Sequence, residues 1–325
     1  MPGDKQQSVL AIDVGGTKII VAVVLPTGKI ISRRYYLTLA DEGTRAVINK
    51  LSSTINRSIT QAKLKNTELM GIGIATAGIL DTRRGIVTAS PNLPGWHNVP
   101  LRDVIAARSG LTTYLINDAS AAALGEHRIG AGRGFDNLLY LTVSTGIGGG
   151  IIINGELYSG ANGCAGELGH MTVEADGPQC HCGSFGCLEA LASGWAIAKK
   201  AATCINQGGK SCITELVEGR VENITAETVA TAARQGDRLA CDIVAKAANY
   251  LGIGLANLVN IFNPELIIIG GGLSKMGDML LEPARKVIKE RAFRLPAQTV
   301  RIVRARLGSN AGIIGAAIHV SGANL

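Results

Sequence analysis

Two stretches of this chain follow one strand–turn–strand plan, and that repetition narrows its possible folds more than any other feature. Residues 8–37 read SVLAIDVGGTKIIVAVVLPTGKIISRRYYL: an apolar run, a Gly15-Gly16 turn, a second apolar run, a Thr27-Gly28 turn and a third strand. β-Branched residues fill the runs and turn residues separate them, the pattern of an antiparallel meander. Residues 137–160 read NLLYLTVSTGIGGGIIINGELYSG and repeat the order, with a glycine-rich turn after Val143 and an Asn154-Gly155 turn before a short strand from Glu156 to Ser159. Asn-Gly is the strongest short hairpin signal, because both residues tolerate positive φ. One structural unit is therefore expected twice.

Each meander is followed by further helices and strands. Arg45 to Lys63 has helical periodicity, Met70 to Ala77 reads as a buried strand, and Tyr114 to Ile116 as a short one. Ala119 to Arg128 reads as a helix that Gly130 ends. Thr225 caps a later helix with Glu227 in its first turn. Ala240 to Ile261 is a long apolar helix, Glu265 to Ile269 a strand, and Met276 to Arg291 and Asn310 to Val320 are two more helices. Residues 207–224 are polar and read as a loop or insertion. The alternation points to a layered α/β fold. A chain of 325 residues exceeds what one core usually supports, and the expected boundary lies near Asp118.

Composition excludes several function classes. Hydrophobic residues make up 46% and charged residues 18%, which is globular rather than disordered. The run from Val9 to Leu25 is interrupted by Asp13, Gly15, Gly16 and Lys18, so no membrane span is expected there. No targeting segment is recognised before it, and the expectation is a soluble, cytoplasmic protein. The net charge of +7 includes Arg285, Lys286, Lys289, Arg291, Arg294, Arg301, Arg304 and Arg306, but aromatic residues are only 4%. These cations read as solvated faces rather than a nucleic-acid surface. Base rates for soluble enzymes favour a homodimer or homotetramer. Seven cysteines, an odd number, argue against a disulfide framework.

Three of those cysteines lie within eight residues, in the pattern His170, nine residues, Cys180-His181-Cys182, four residues, Cys187. Three thiols and one imidazole fill the tetrahedral N/S set that zinc favours, with Gly183 and Gly186 supplying turn freedom. His181 rivals His170 as the fourth ligand. Glu167 and Glu189 flank the cluster, where carboxylates could hydrogen-bond sugar hydroxyls or be ordinary surface acids. The turn Asp13-Val14-Gly15-Gly16-Thr17-Lys18 can present backbone N–H groups and the Thr17 hydroxyl to a phosphate, while Asp13 could hold a metal-bound water. Thr145 and Gly146 occupy the matching turn of the second meander, so a nucleoside triphosphate could engage both. Gly270-Gly271-Gly272 follows a strand and precedes a helix, which lets a ligand approach the backbone closely and is assigned to the adenosine side. Asn117-Asp118 ends a strand and opens a helix, where a carboxylate can take a proton from an attacking hydroxyl or serve as an N-cap. Two other nucleotide motifs fail: Cys204 stands where a P-loop ending in Gly209-Lys210-Ser211 needs glycine, and no GxGxxG follows the first strand.

The assembled set resembles the ROK family (repressors, open reading frames and kinases). The most specific match is Gly166-Glu167-Leu168-Gly169-His170 with Cys180-His181-Cys182-Gly183-Ser184-Phe185-Gly186-Cys187-Leu188-Glu189. The Asp13–Lys18 turn, Asn117-Asp118 and Thr145–Gly150 match in order. The resemblance implies an actin-like (ribonuclease H-like) duplicated α/β fold, with ATP and sugar in the cleft between two lobes that close over them. Residues 1–118 would form a small lobe completed by the C-terminal helix 310–325, and 119–309 the large lobe. It implies Asp118 as catalytic base, sugar contacts from Gly78, Asn117, Glu167, His170 and Glu189, and structural Zn2+ held by His170, Cys180, Cys182 and Cys187. Asp13, Gly15, Gly16, Thr17, Lys18, Thr145, Gly146, Gly271 and Gly272 would bind ATP and Mg2+. Pro91-Asn92-Leu93-Pro94-Gly95-Trp96 resembles the Asn-Leu-Gly-Trp segment of bacterial glucokinases, with Pro94 inserted, and adds Asn92 to the sugar contacts.

The expected activity is ATP-dependent phosphorylation of a hexose, glucose first, serving glycolysis. N-acetylmannosamine, mannose or fructose are alternative substrates, and polyphosphate an alternative donor. A sugar-sensing repressor of the same family would carry a helix-turn-helix ahead of a first strand that here begins near Ser8. Sequence-specific DNA binding at physiological salt would identify that class. An actin- or chaperone-like ATPase would hydrolyse ATP without any sugar.

Overall fold

A computed structural model of the chain describes residues 7–62, 64–90 and 92–323. Lys63 at the end of the first expected helix, Pro91 of the Pro91–Trp96 segment and residues 324–325 of the expected C-terminal helix lie outside the described residues. In chain order the first elements are β1 (Ser8–Val14), β2 (Lys18–Val24), β3 (Ile30–Leu37), α1 (Thr44–Gln61), β4 (Leu69–Thr76) and the short strands β5 (Ile79–Asp81), β6 (Ile86–Ala89) and β7 (His97–Val99). Next come α2 (Leu101–Ser109), β8 (Thr113–Asn117), α3 (Asp118–Arg128), β9 (Leu138–Val143), β10 (Ile147–Ile153) and β11 (Glu156–Leu157). Then follow α4 (Leu188–Ala192), α5 (Gly194–Asn206), α6 (Ile213–Leu216), α7 (Ala226–Arg234), α8 (Arg238–Phe262), β12 (Leu266–Gly270), α9 (Asp278–Arg291), α10 (Arg294–Thr299), β13 (Arg301–Arg304) and α11 (Ala311–Ala323).

The repetition read from the sequence is realised as two five-stranded sheets of one plan. Their orders are β3-β2-β1-β4-β8 and β11-β10-β9-β12-β13. In the first, β1 is antiparallel to β2 (Ile12 opposite Val21) and parallel to β4 (Ile12 opposite Ile74), and β4 is parallel to β8. In the second, β12 is parallel to both β9 (Ile268 opposite Tyr140) and β13 (Ile268 opposite Val303), and β11 is antiparallel to β10. A third sheet, β5-β6-β7, is antiparallel throughout.

The chain divides into two compact units: residues 1–136, 150–166 and 306–325, and residues 137–149 and 167–305. In the first, alternating side chains of β1 and β2 enter different cores, which is why these strands read as unbroken apolar runs. Leu10, Ile12, Val14, Ile19, Val21 and Val23 pack with Val47, Leu51 and Ile55 of α1 and Leu101 and Ile105 of α2. Val9, Ala11, Ile20, Ala22 and Val24 pack with Ala121 and Leu124 of α3 and Ile313, Ala316 and Val320 of α11. Helices α3 and α11 touch backbone to backbone: a Cβ on Gly315 would lie 1.6 Å from the Ala121 carbonyl oxygen. That contact places α3 with the first unit, whereas the sequence set a boundary at Asp118. Residues 150–166 also fall in the first unit rather than the large lobe.

The second unit is organised on α8. Asp237 caps it by accepting a hydrogen bond from the Ala240 N–H at 2.9 Å, and Asn263 ends it in the left-handed region at φ 43°. The helix is long and apolar enough to cross a membrane, but it packs against α4, α5, α7 and α9 and buries Leu251, Leu255, Leu258 and Val259. It is a core helix. The segment 207–224, read as a loop, contains α6, pinned by buried Ile213 and by Asp237 accepting from the Cys212 N–H at 2.9 Å.

Candidate active site

The first unit gathers one set of expected site residues. The turn between β1 and β2 closes when the Gly15 N–H donates to the Lys18 carbonyl at 3.0 Å, and Thr17 stands exposed at its tip. Buried Thr38, which the sequence did not single out, braces this turn: its hydroxyl donates to the Gly15 carbonyl at 2.7 Å and its N–H to the Thr17 carbonyl at 3.1 Å. Gly16 is required because a Cβ there would lie 2.7 Å from the Asn92 carbonyl oxygen. The Asn92 loop is anchored by Leu93 and Trp96, each 1% exposed in the core, so Asn92 is held beside the turn.

Asp118 opens α3, but the helix cap is Asn117, whose Oδ1 accepts from the Ala119 and Ser120 N–H groups at 3.0 and 3.1 Å. The Asn117 Nδ2 donates to the Gly78 carbonyl at 3.4 Å. Gly78, at φ 116°, lies against Ala89 and Ser90, and the buried Ser90 hydroxyl has no partner among the described residues. Asp118 Oδ1 accepts from the Ala119 N–H at 2.8 Å. Gly312 of α11 lies next to both acids: a Cβ there would sit 3.7 Å from Asp13 Oδ2 and 4.0 Å from the Asp118 carbonyl oxygen. Burial pushes the Asp118 carboxyl above the ordinary carboxylate range.

Burial, and then the like charge of Asp118, push the Asp13 carboxyl up to about 6. In the unfolded chain it titrates near 3.9, so between about pH 4 and 6 the unfolded state gives up a proton that the fold retains. This group's contribution to stability therefore falls as pH rises through that window and is constant above it. Asp13→Asn is expected to unfold at higher urea than the parent near pH 8, by about 1–3 kcal/mol, and at similar urea near pH 4. A variant equally destabilised at both pH values would show that the Asp13 carboxyl has no raised proton affinity in the fold.

The second unit gathers the rest. The β9–β10 turn closes with the Ser144 N–H donating to the Gly146 carbonyl at 2.9 Å. Glu189 Oε2 accepts from the Ile147 N–H at 2.8 Å, and a Cβ on Gly146 would meet that oxygen at 2.4 Å. Glu189 Oε1 lies 3.8 Å from the Cys180 sulfur, so this carboxylate spans from the turn to the cysteine cluster. The turn also receives α5: the Gly194 N–H donates to the Ser144 carbonyl at 2.7 Å and the Trp195 N–H to the Thr145 carbonyl at 3.1 Å. Gly271, at φ 80°, lies against the end of β9, where a Cβ would be 2.3 Å from the Val143 carbonyl oxygen. Thr145, Gly194, Gly272, Thr225, Glu227 and Arg234 thus line one cavity of about 530 Å³. The walls from α5 and α7 were not legible as site residues; the only local signal was the Thr225 cap.

The four expected metal ligands converge. One ligand atom each from His170, Cys180, Cys182 and Cys187 lie within 4.8 Å of one another. His170 Nδ1 is 3.7 Å from the Cys180 sulfur, and the Cys182 and Cys187 sulfurs are 3.7 Å apart. A tetrahedral zinc with bonds of about 2.0–2.3 Å has ligand–ligand edges of roughly 3.3–3.8 Å, which these two pairs match, and three thiols with one imidazole are a donor set that zinc favours. His181 is not in the cluster; its ring stacks on Trp195 at 4.3 Å. The other ring nitrogen of His170 lies 3.8 Å from Glu167 Oε2, close to but beyond hydrogen-bond distance. Burial pushes the Cys180 thiol up to about 12, so metal binding there releases a proton.

The ROK family model matches residues 9–323. A glucokinase of Thermotoga maritima is 40% identical, over 95% of each chain. A xylose repressor of Caldicellulosiruptor bescii is 36% identical, over 95% of this chain and 76% of the repressor. The crystal structure of a ROK family glucokinase from Streptomyces griseus in complex with glucose and AMPPNP superposes with a TM-score of 0.82 at 36% identity, covering 95% of this chain and 98% of that one.

Proposed function

This chain belongs to the ROK family, and we infer that it is an ATP-dependent hexose kinase of the glucokinase type, forming glucose 6-phosphate and ADP. The observation that carries the reading is Asp118, an acid of raised proton affinity held at a strand end beside Asp13 and a phosphate-binding turn.

As the sugar 6-hydroxyl attacks the γ-phosphorus, the new O–P bond forms, the bond to the bridging oxygen of ADP breaks, and Asp118 takes the hydroxyl proton. Little covalent work is asked of the protein, so positioning and charge stabilisation dominate. Asp13 would hold Mg2+, which would supply positive charge to the phosphates. Gly15, Gly16, Thr17 and Lys18, with Thr145 and Gly146, receive the phosphates. The 530 Å³ cavity lined by Gly272, next to Gly271, takes the adenosine. Sugar contacts are assigned to Gly78, Asn92, Asn117, Glu167, His170 and Glu189. His170, Cys180, Cys182 and Cys187 would hold zinc, which supplies rigidity and, with four protein ligands, no reactive position. The reaction is placed in the cytoplasm, at the head of glucose metabolism.

The test is product detection with MgATP over glucose, mannose, fructose and N-acetylmannosamine, with polyphosphate as a second donor. Glucose is expected to have the highest kcat/KM. A higher value for N-acetylmannosamine would overturn the glucose assignment. ATP hydrolysis indifferent to every sugar would overturn the kinase.

A further inference from the structure

A second cavity, of about 270 Å³, lies in the same unit and shares only Trp195 with the larger one: its walls come from α4, α5, α8 and the cysteine-rich segment. Trp195, Ile197, Ile243, Ala247 and Tyr250 make it apolar, and Lys199, Lys200 and Lys246 stand among its lining residues. None of these three lysines makes an ion pair among the described residues. Two of them sit over aromatic rings, Lys199 at 5.5 Å from the Trp195 centroid and Lys246 at 5.8 Å from that of Tyr250. The acid in the lining, Glu174, accepts a hydrogen bond from the Tyr250 hydroxyl at 2.7 Å.

Lysines on an exposed helix face ordinarily need no explanation. Here two further observations accompany them. They surround an apolar cavity rather than a flat surface, so a ligand can bury a ring while its charge meets the ammonium groups. The Trp195 indole N–H is buried with no acceptor among the described residues, so this side chain is held without a hydrogen bond that would fix it in place. Trp195 also lines the 530 Å³ cavity, stacks on His181 and donates its backbone N–H to Thr145. A ligand that moves Trp195 therefore acts on the phosphate turn.

We propose that this cavity is a second binding site, for a phosphate monoester with a ring-sized apolar body, and that its occupancy changes nucleotide affinity through Trp195. The coupling rests on reading the larger cavity as the nucleotide site; the binding does not.

The probe is phenyl phosphate, titrated calorimetrically into the zinc-loaded full chain, with phenol and inorganic phosphate as controls and saturating AMPPNP present. Phenyl phosphate is expected to bind about tenfold tighter than inorganic phosphate, because only it buries a ring, and to weaken as salt rises. Lys199→Ala combined with Lys246→Ala is expected to weaken it about tenfold or more at unchanged Tm. Displacement by AMPPNP, indifference to the double substitution, or equal binding of inorganic phosphate would overturn the site. With the site occupied, the KM for ATP is expected to shift about twofold or more in the parent and not in the double variant. Binding without that shift overturns the coupling and leaves the site. Failure to phosphorylate any hexose would instead count against the kinase and leave the calorimetric result standing.

Discussion

Asp118→Asn is expected to lower kcat for glucose phosphorylation by about 10²–10⁴-fold, the usual worth of a positioned general base, with little change in the KM for glucose. The substitution keeps the shape of the side chain. Its carbonyl oxygen can still accept from the Ala119 N–H, as Asp118 Oδ1 does at 2.8 Å, and the cap of α3 is untouched because Asn117 provides it. What disappears is the ability to take a proton. The parent should also carry a pH signature. Its raised proton affinity means that the base is lost as pH falls through a value above the ordinary carboxylate range, so the acid limb of kcat/KM should lie above about pH 4. Steady-state kinetics with a pH series check both statements. An unchanged kcat in the variant removes Asp118 from the chemistry.

Stripping the metal cluster, by chelation or by Cys187→Ser, is expected to cost both heat stability and sugar affinity. Structural zinc contributes about 10–16 kcal/mol in small finger peptides that are otherwise unfolded. Here the segment has other anchors: the Leu188 N–H donates to the Met171 carbonyl at 2.9 Å, and Gly186 lies against Glu174. Only part of that energy is then at stake. A loss of about 3–5 kcal/mol corresponds to a Tm lower by roughly 6–20 °C in a unit of this size. Sugar affinity should fall as well, because His170 is tied to the cluster through its Nδ1 and Glu189 follows Cys187 by two residues in the same segment. Glu189 also holds the Ile147 N–H, so nucleotide affinity should weaken with it. Calorimetry and sugar titration of metal-free and reloaded protein decide this. If metal-free protein keeps its Tm and its sugar affinity, the cluster does not support the site.

Much of the site was legible because its chemistry is local. Three cysteines within eight residues, and an Asp at a strand-to-helix junction, declare themselves through spacing alone. Roles that depend on which atom faces which neighbour were not legible. The capping of α3 by the Asn117 carbonyl oxygen and the contact of its amide with Gly78 are of this kind. So is the hydrogen bond that Glu189 accepts from the Ile147 N–H. The β5-β6-β7 sheet escaped notice because strands of three or four residues carry too little periodicity to stand out from turns. Helix α5 and strand β13 were also not anticipated, although both complete layers around longer elements.

By itself, then, the sequence determined the duplicated sheet plan and singled out Asp118 and the Cys/His set at 170–187 as the candidates for base and metal ligands. Each follows from residues close along the chain, where backbone geometry and side-chain reach leave few options. Tertiary structure alone decided that His170 and not His181 joins the cysteines, since the His181 ring is taken by Trp195. It decided that α3 belongs with α11, because glycine at 125 and 315 lets two distant backbones touch. It decided that the Thr145 turn, the Gly271 turn and the start of α7 share one cavity. Those outcomes depend on packing between segments far apart in sequence, and packing is settled by the shapes of whole faces rather than by any single motif.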